Sequence, residues 1–264
     1  MTSDEGVVVA DQSSDRHNGH RLLGWGVVGV IAQAAFLAGW LIAETWQGPR
    51  YSPVTDTISD LQAATAPHAW FPITCFAVGG VGTFCFAMFG LRPALAGAGP
   101  VAWYAPWMLA LPALALGNSF PLIPCQLADA GCTARHQLFS SGGLTDAIVA
   151  STALLVLAFA PGPLWRRVRL IPQWRRLEPV LTAARVVCPL CYILLGITSV
   201  TGTADGLMER ILVTSCVLWI SALAVTAIFV ARQPATAPSV GAAGRPWPSR
   251  SRPARSAGRR PPRT

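Results

Sequence analysis

Asp56 and Asp60 stand four residues apart in the polar stretch YSPVTDTISDLQA, Tyr51 to Ala63, between two long apolar runs. On a helix that spacing puts both carboxylates on one face, with the hydroxyls of Thr55 and Ser59 alongside and Tyr51 at the entrance. Further on, His136 supplies the side chain whose charge changes near neutral pH. Glu209 and Arg210 set an acid beside a base, and Asp146 puts an ionisable group inside an apolar run. Together these types suit acid/base chemistry on a molecule held by a polar pocket. His136 is then the general base or proton relay, and Asp56 and Asp60 its carboxylate partners. Tyr51, Ser59, Asp146, Glu209 and Arg210 are the ligand-binding candidates, with Arg210 placed to hold a phosphate or carboxylate head group. Each has a plainer alternative. His136 can bond a loop backbone, and Arg210 can pair with Glu209, Asp56 or Asp60. Asp146 can be a neutral acid bonded to Ser140, Thr145 or Asn118.

The seven cysteines divide by position. Cys125 and Cys132 share one hydrophilic connection and are expected to form a disulfide in an oxidising compartment. Cys188 and Cys191 match C-x-x-C, but they begin about eight residues into an apolar run, about 12 Å deep. They read as buried membrane-helix cysteines rather than as a redox pair. No metal site is expected, because only Asp129 and His136 stand near the loop cysteines. There is no Gly-rich phosphate loop, no H-E-x-x-H and no D-D-x-x-D. No cofactor is expected.

The elements that must position these groups are membrane helices. Of the 264 residues 52% are hydrophobic and 12% charged, half the charged share of about 25% in a soluble domain, and the mean hydropathy is +0.46. The net charge of +8 is local: eight arginines and no acid follow from Arg232 onward, while the other twelve arginines balance all twelve carboxylates. That tail suits anionic lipid head groups rather than nucleic acid, since it has no folded module and little aromatic interleaving.

Six apolar runs, at about 22–44, 69–91, 101–123, 137–160, 180–201 and 211–231, are each long enough for a crossing helix. The fold class expected is therefore all-α, a six-helix membrane domain over 22–231. A short surface helix at about Pro53 to Ala63 would cover one mouth, with Ser52 capping it and Val54, Ile58 and Leu61 packing inward. Residues 1–21 and 232–264 are expected to be disordered and cytoplasmic. Arg16, Arg21, Arg92, the cluster Arg166 to Arg185 and the tail fall on one side, against Arg50, Arg135 and Arg210 on the other. The positive-inside rule puts both termini in the cytoplasm of a multi-pass cell-membrane protein.

The polar YSPVTDTISDL after the first run, FPLIPCQLADAGC followed by His136, and Glu209–Arg210 opening the last run resemble the bacterial integral-membrane family called domain of unknown function 998. The resemblance covers about Leu22 to Val230. Gln62 stands where that family usually has Gly. It implies a six-span membrane fold and no assigned activity. Three functions follow as expectations: binding or modification of a lipid or isoprenoid-like molecule in an outward pocket, proton-coupled transport through Asp146, or a structural or sensory role without chemistry. The partners expected are membrane lipids and a hydrophobic small molecule.

Overall fold

The computed structural model describes residues 5–96, 104–117, 123–140 and 142–233 of the chain, with side chains from Gly19 onward. The regular structure among them is helical. Helix α1, Glu5–Glu44, carries a 26-residue apolar part from Gly19; its backbone is helical from Glu5, through a polar stretch without periodicity. A 3-10 turn at Ser59–Gln62 follows. Helix α2, Trp70–Cys85, runs on through a π-helical turn, Phe86–Leu91, and a last turn, Arg92–Ala94. Helix α3 is Ala105–Gly117 and α4 is Ala134–Leu138. Helix α5, Gly143–Phe159, passes directly into α6, Pro161–Val168. A 3-10 stretch, Pro172–Leu177, leads into α7, Glu178–Thr201. Gly202 ends α7 at φ +66°, the left-handed conformation that closes helices. Helix α8, Asp205–Arg232, completes the bundle.

Five of these segments are long and apolar enough to cross a membrane: Gly19–Glu44, Trp70–Ala94, Gly143–Val168, Pro172–Thr201 and Asp205–Arg232. At 1.5 Å per residue each exceeds the hydrocarbon thickness of about 30 Å. Ile31, Ile148, Val186, Leu218 and Phe229 are each more than half exposed on their outward faces. In water such a girdle would aggregate; in lipid it matches the solvent. The chain is an all-α, polytopic membrane protein.

The sequence leads to six crossings, and the third differs. Of 101–123 the described helix is α3, 13 residues with Pro112 inside, about 20 Å long. Residues 101–103 and 118–122 lie outside the described residues. Helices of spanning length therefore number five among the described residues. The fourth crossing also shifts. Leu138 ends α4 and α5 begins only at Gly143, so His136 sits on a separate short helix instead of at the mouth of a span. Thr133 caps that helix by accepting the His136 N–H at 3.1 Å.

Small residues set the packing of α1, α2 and α3. A Cβ added to Gly79 would lie 2.9 Å from the Phe36 Cβ of α1, and one on Gly82 would lie 2.7 Å from the Ala32 Cβ. On the other side Gly80 faces Gly117, where a Cβ would meet the Ala113 carbonyl oxygen at 2.5 Å. The GGVG run thus provides the close helix approach expected of small residues in a membrane. Within the α1–α2 contact Gln33 donates to Thr83 Oγ1 at 2.7 Å, both buried.

Two features of the surface helix expected over 53–63 are corrected. The backbone forms turns and then a 3-10 turn, and Val54 is 45% exposed instead of packed inward. The carboxylates cause the difference. Asp56 Oδ2 accepts the Ser52 N–H at 2.8 Å, and Asp60 Oδ2 accepts the Thr57 N–H at 3.0 Å. Such side chain-to-backbone bonds stabilise turns at the expense of helix. They also draw both acids inward, to 7% and 1% exposure, where the helical spacing had left them facing out.

Candidate functional site

The polar candidates gather at the end of the bundle where α1 ends and α2, α5 and α8 begin. Arg210, in the first turns of α8, is 8% exposed. Its Nε donates to Glu44, the last residue of α1. Its Nη1 donates to the carbonyls of Asp56 and Gly206, each at 2.8 Å, and its Nη2 donates to the Tyr51 hydroxyl. The guanidinium also lies 5.9 Å from the Trp40 ring centre. One side chain thereby ties together α1, the 51–56 loop and α8. Gly206 makes the approach feasible, since a Cβ there would collide with the Asp56 carbonyl. Burial pushes the Tyr51 phenol well above its ordinary pKa, with Arg210 pulling the other way, so it stays neutral and accepts from the arginine.

Asp60 forms the second knot. Its Oδ1 accepts from Gln137 Nε2 at 2.7 Å and from the Leu127 N–H at 3.4 Å, and Thr57 Oγ1 donates to Oδ2 at 3.1 Å. Gln137 also donates to the Cys125 carbonyl at 2.6 Å, and Gln126 Nε2 donates to Gln47 Oε1 at 2.8 Å. Burial raises the Asp60 pKa, and the bonds from Gln137, Thr57 and Leu127 oppose the rise. Cys125 and Cys132 meet at bonding distance with Cα atoms 6.1 Å apart, within the range a disulfide needs.

The acid/base arrangement expected around His136 is not assembled. Its ring is exposed and makes no hydrogen bond among the described residues, while Asp56, Asp60 and Glu209 are engaged elsewhere. The neighbour, Gln137, is the residue that engages Asp60. Arg210 pairs with Glu44 rather than with the carboxylates of Glu209, Asp56 or Asp60. Asp146 bonds neither Ser140 nor Thr145, and Asn118 lies outside the described residues. The sequence reading missed Glu44, Gln62 and Gln137. Glu44 carried a signal, as an acid closing an apolar run; the glutamines carried none, because amides leave no mark on charge patterning.

Beneath this cap lies a cleft bounded by the 3-10 turn, α1, α2, α3, α5 and α8. Its polar lining comes from Ser59, Gln62, Asp146 and Glu209. Glu209 Oε2 accepts the Ile58 N–H at 2.7 Å, and Ser59 Oγ lies 2.8 Å from Thr57 Oγ1. Gln62 is 8% exposed, and its Oε1 is buried without a hydrogen-bond partner among the described residues. The Asp146 carboxylate has no hydrogen bond among the described residues. A second cavity lies deeper, between Gln33–Thr83 and α5 and α8. Phe36, Leu116, Leu154 and Val213 line both, so the two spaces adjoin. From Asp146 to Leu157, and from Glu209 to Ile220, the lining descends about 16 Å along α5 and α8.

At the opposite end Trp165 is flanked by Arg169 and Arg185, at 4.7 and 4.1 Å. Cys188 and Cys191 are buried on α7, and Cys188 lies beside Cys216 of α8, a neighbour the C-x-x-C spacing does not reveal. No group of three or more His, Cys, Asp or Glu among the described residues is arranged to hold a metal ion. No curated protein and no solved structure matches the chain. A family model described as a protein of unknown function (DUF998) matches residues 30–226, from within α1 to near the end of α8, and the chain belongs to that family.

Proposed function

We propose that this membrane protein binds an amphiphilic small molecule of the lipid or isoprenoid class, head at the polar cleft and chain in the deeper cavity. The observation that carries the reading is the adjoining pair of cavities, polar at Ser59, Gln62, Asp146 and Glu209 and apolar around Leu154, Leu157, Val213 and Val217. Below the polar mouth the lining stays apolar for about 10 Å along α8, from Val213 to Ile220, a depth that suits a short to medium-length chain. The arginine-rich end, with Arg166, Arg167, Arg169, Arg175 and Arg176, faces the cytoplasm by the positive-inside rule, so the cleft opens toward the outer leaflet of the cell membrane. Binding rather than catalysis is favoured, because His136 stands outside the cluster.

The test is native mass spectrometry of the full chain purified with its own lipids, beside Val213→Trp, which fills the shared space, and Ala150→Phe, which fills the cleft. One species retained by the wild type and lost from both variants supports the reading. A lipid background that is the same in all three, with folding intact, overturns it. A second reading, proton-coupled transport, draws on the Asp146 carboxylate, which lies on the cleft without a partner among the described residues. Ionisable groups so placed mark ion pathways. It requires Asp146→Asn to abolish pH-driven uptake in vesicles.

A further inference from the structure

We infer that the head group this cleft accepts is cationic and nitrogen-centred, an ammonium- or amidinium-class group at the end of an apolar chain. The inference rests on the amphiphile reading above and goes on to name the chemistry of the head. Three features point to it. The charged side chains that line the two cavities among the described residues are both acids, Asp146 and Glu209. The guanidinium of Arg210, next in the chain to Glu209, is committed to Glu44, Tyr51 and two backbone carbonyls. The cleft therefore has no cation among the described residues to receive a phosphate or carboxylate, and an anion there would face two carboxyl groups in a poorly solvated space, which is repulsive.

The second feature is an excess of acceptors. Gln62 Oε1 is buried without a partner among the described residues, in a side chain more than nine-tenths buried. Asp146 has no hydrogen bond to its carboxylate among the described residues, and Glu209 uses only Oε2, for the Ile58 N–H. A buried acceptor left unpaired costs about 1–3 kcal/mol, so a bound donor recovers that loss. A hydroxyl head donates one hydrogen, whereas an ammonium donates three and brings the charge that two carboxyl groups attract. The third feature is the lining below the acceptors. It turns apolar at Leu154 and Val213 and stays so for about two helical turns along α8, to Ile220, with the mutually bonded Gln33 and Thr83 as its polar interruption among the described residues. A head that sits at the carboxyl groups thus leads its chain into an apolar lane.

The experiment uses the full chain in phosphatidylcholine nanodiscs and three probes of one chain length: dodecylammonium, dodecanol and dodecyl phosphate. Retention is read by native mass spectrometry for the wild type, Asp146→Asn, Glu209→Gln and Val213→Trp. Asp146→Asn loses no hydrogen bond seen among the described residues, and a glutamine at 209 still accepts the Ile58 N–H, so both are expected to fold; unchanged thermal midpoints confirm it. The expected result is dodecylammonium bound about tenfold more tightly than either other probe, with that preference lost in Asp146→Asn and Glu209→Gln. Equal retention of all three probes, indifferent to the acid variants yet abolished by Val213→Trp, overturns the cationic head and leaves the amphiphile reading standing. Preference for dodecyl phosphate overturns the head assignment as well. No retention of any probe by the wild type overturns both.

Discussion

Replacing Arg210 by methionine tests whether one side chain ties the polar cap together. The substitution leaves Glu44 without a counter-ion, with its side chain 19% exposed, and takes a donor from the carbonyls of Asp56 and Gly206. Removing one partner of a buried ion pair costs about 3–5 kcal/mol, and the low exposure of Arg210 and Glu44 puts this pair in that range. Arg210→Lys keeps the charge but cannot fork between Glu44, Tyr51 and two carbonyls at once, so it should fall between the two. The informative comparison is the double variant, Arg210→Met with Glu44→Gln. Neutralising the stranded carboxylate should make the double change cheaper than the sum of the single ones by about 1.5–3 kcal/mol. The assay is reversible unfolding by SDS titration in mixed micelles, followed by tryptophan fluorescence. Additivity within about 0.5 kcal/mol, or an Arg210→Met cost near zero, would refute the pairing and with it the assignment of Arg210 as structural.

Three further outcomes follow from the same structure. Burial holds the Asp60 carboxyl above its ordinary 3.8, so over that interval the folded chain keeps a proton that the unfolded chain has lost. Its contribution to stability is present below 3.8 and is lost as pH rises through the folded value; the unfolding midpoint should climb on acidification across that window, and Asp60→Asn should flatten the slope. Gly80→Ala puts a methyl 2.5 Å from the Ala113 carbonyl oxygen and should cost about 1–3 kcal/mol in the same titration. Cys125 and Cys132 should resist alkylation until reduced, and Cys125→Ser should lower stability by about 2.5 kcal/mol, the loop-closure value for so short a ring.

The membrane class was legible because it depends on composition and run length, which tertiary context barely alters. The small-residue contact at Gly79–Gly82 was legible for a similar reason, since bilayer packing leaves few other uses for such a run. What periodicity misjudged was the segment from Pro53 to Ala63. A four-residue spacing of acids is consistent with a helix face, but Asp56 and Asp60 each reach a backbone N–H three or four positions earlier and hold turns instead. His136 and Gln137 show a related limit. A titratable ring stands out in a sequence, yet the neighbouring amide is the group that bridges Asp60 and the Cys125 carbonyl. Glu44 reads as the end marker of an apolar run, although an acid held at so low an exposure needs a cation, and Arg210 is the one it meets.

The cap and the cleft differ in how fully their polar groups are engaged, and that contrast bears on function. In the cap, Arg210, Asp56 and Asp60 all reach partners, and Arg210 and Asp60 each reach distant stretches of chain as well as near ones. Such a network fixes geometry, and most of its bonding capacity is already in use. In the adjoining cleft, Gln62, Asp146 and Glu209 retain unused acceptors around an open space. Unmet hydrogen bonds in a membrane interior are costly, so a fold that tolerates them beside a cavity has left room for something that meets them. The rigid cap then acts on binding indirectly. Glu209 accepts the Ile58 N–H, and Ile58 leads directly into the 3-10 turn that carries Ser59 and Gln62 into the lining. Loosening the cap should therefore weaken ligand retention even where no cap residue touches the ligand. Arg210→Lys checks this by native mass spectrometry, at a temperature where the variant is fully folded. Retention of the bound amphiphile should fall below that of the wild type, whereas equal retention would mean that the cleft holds its shape without the cap.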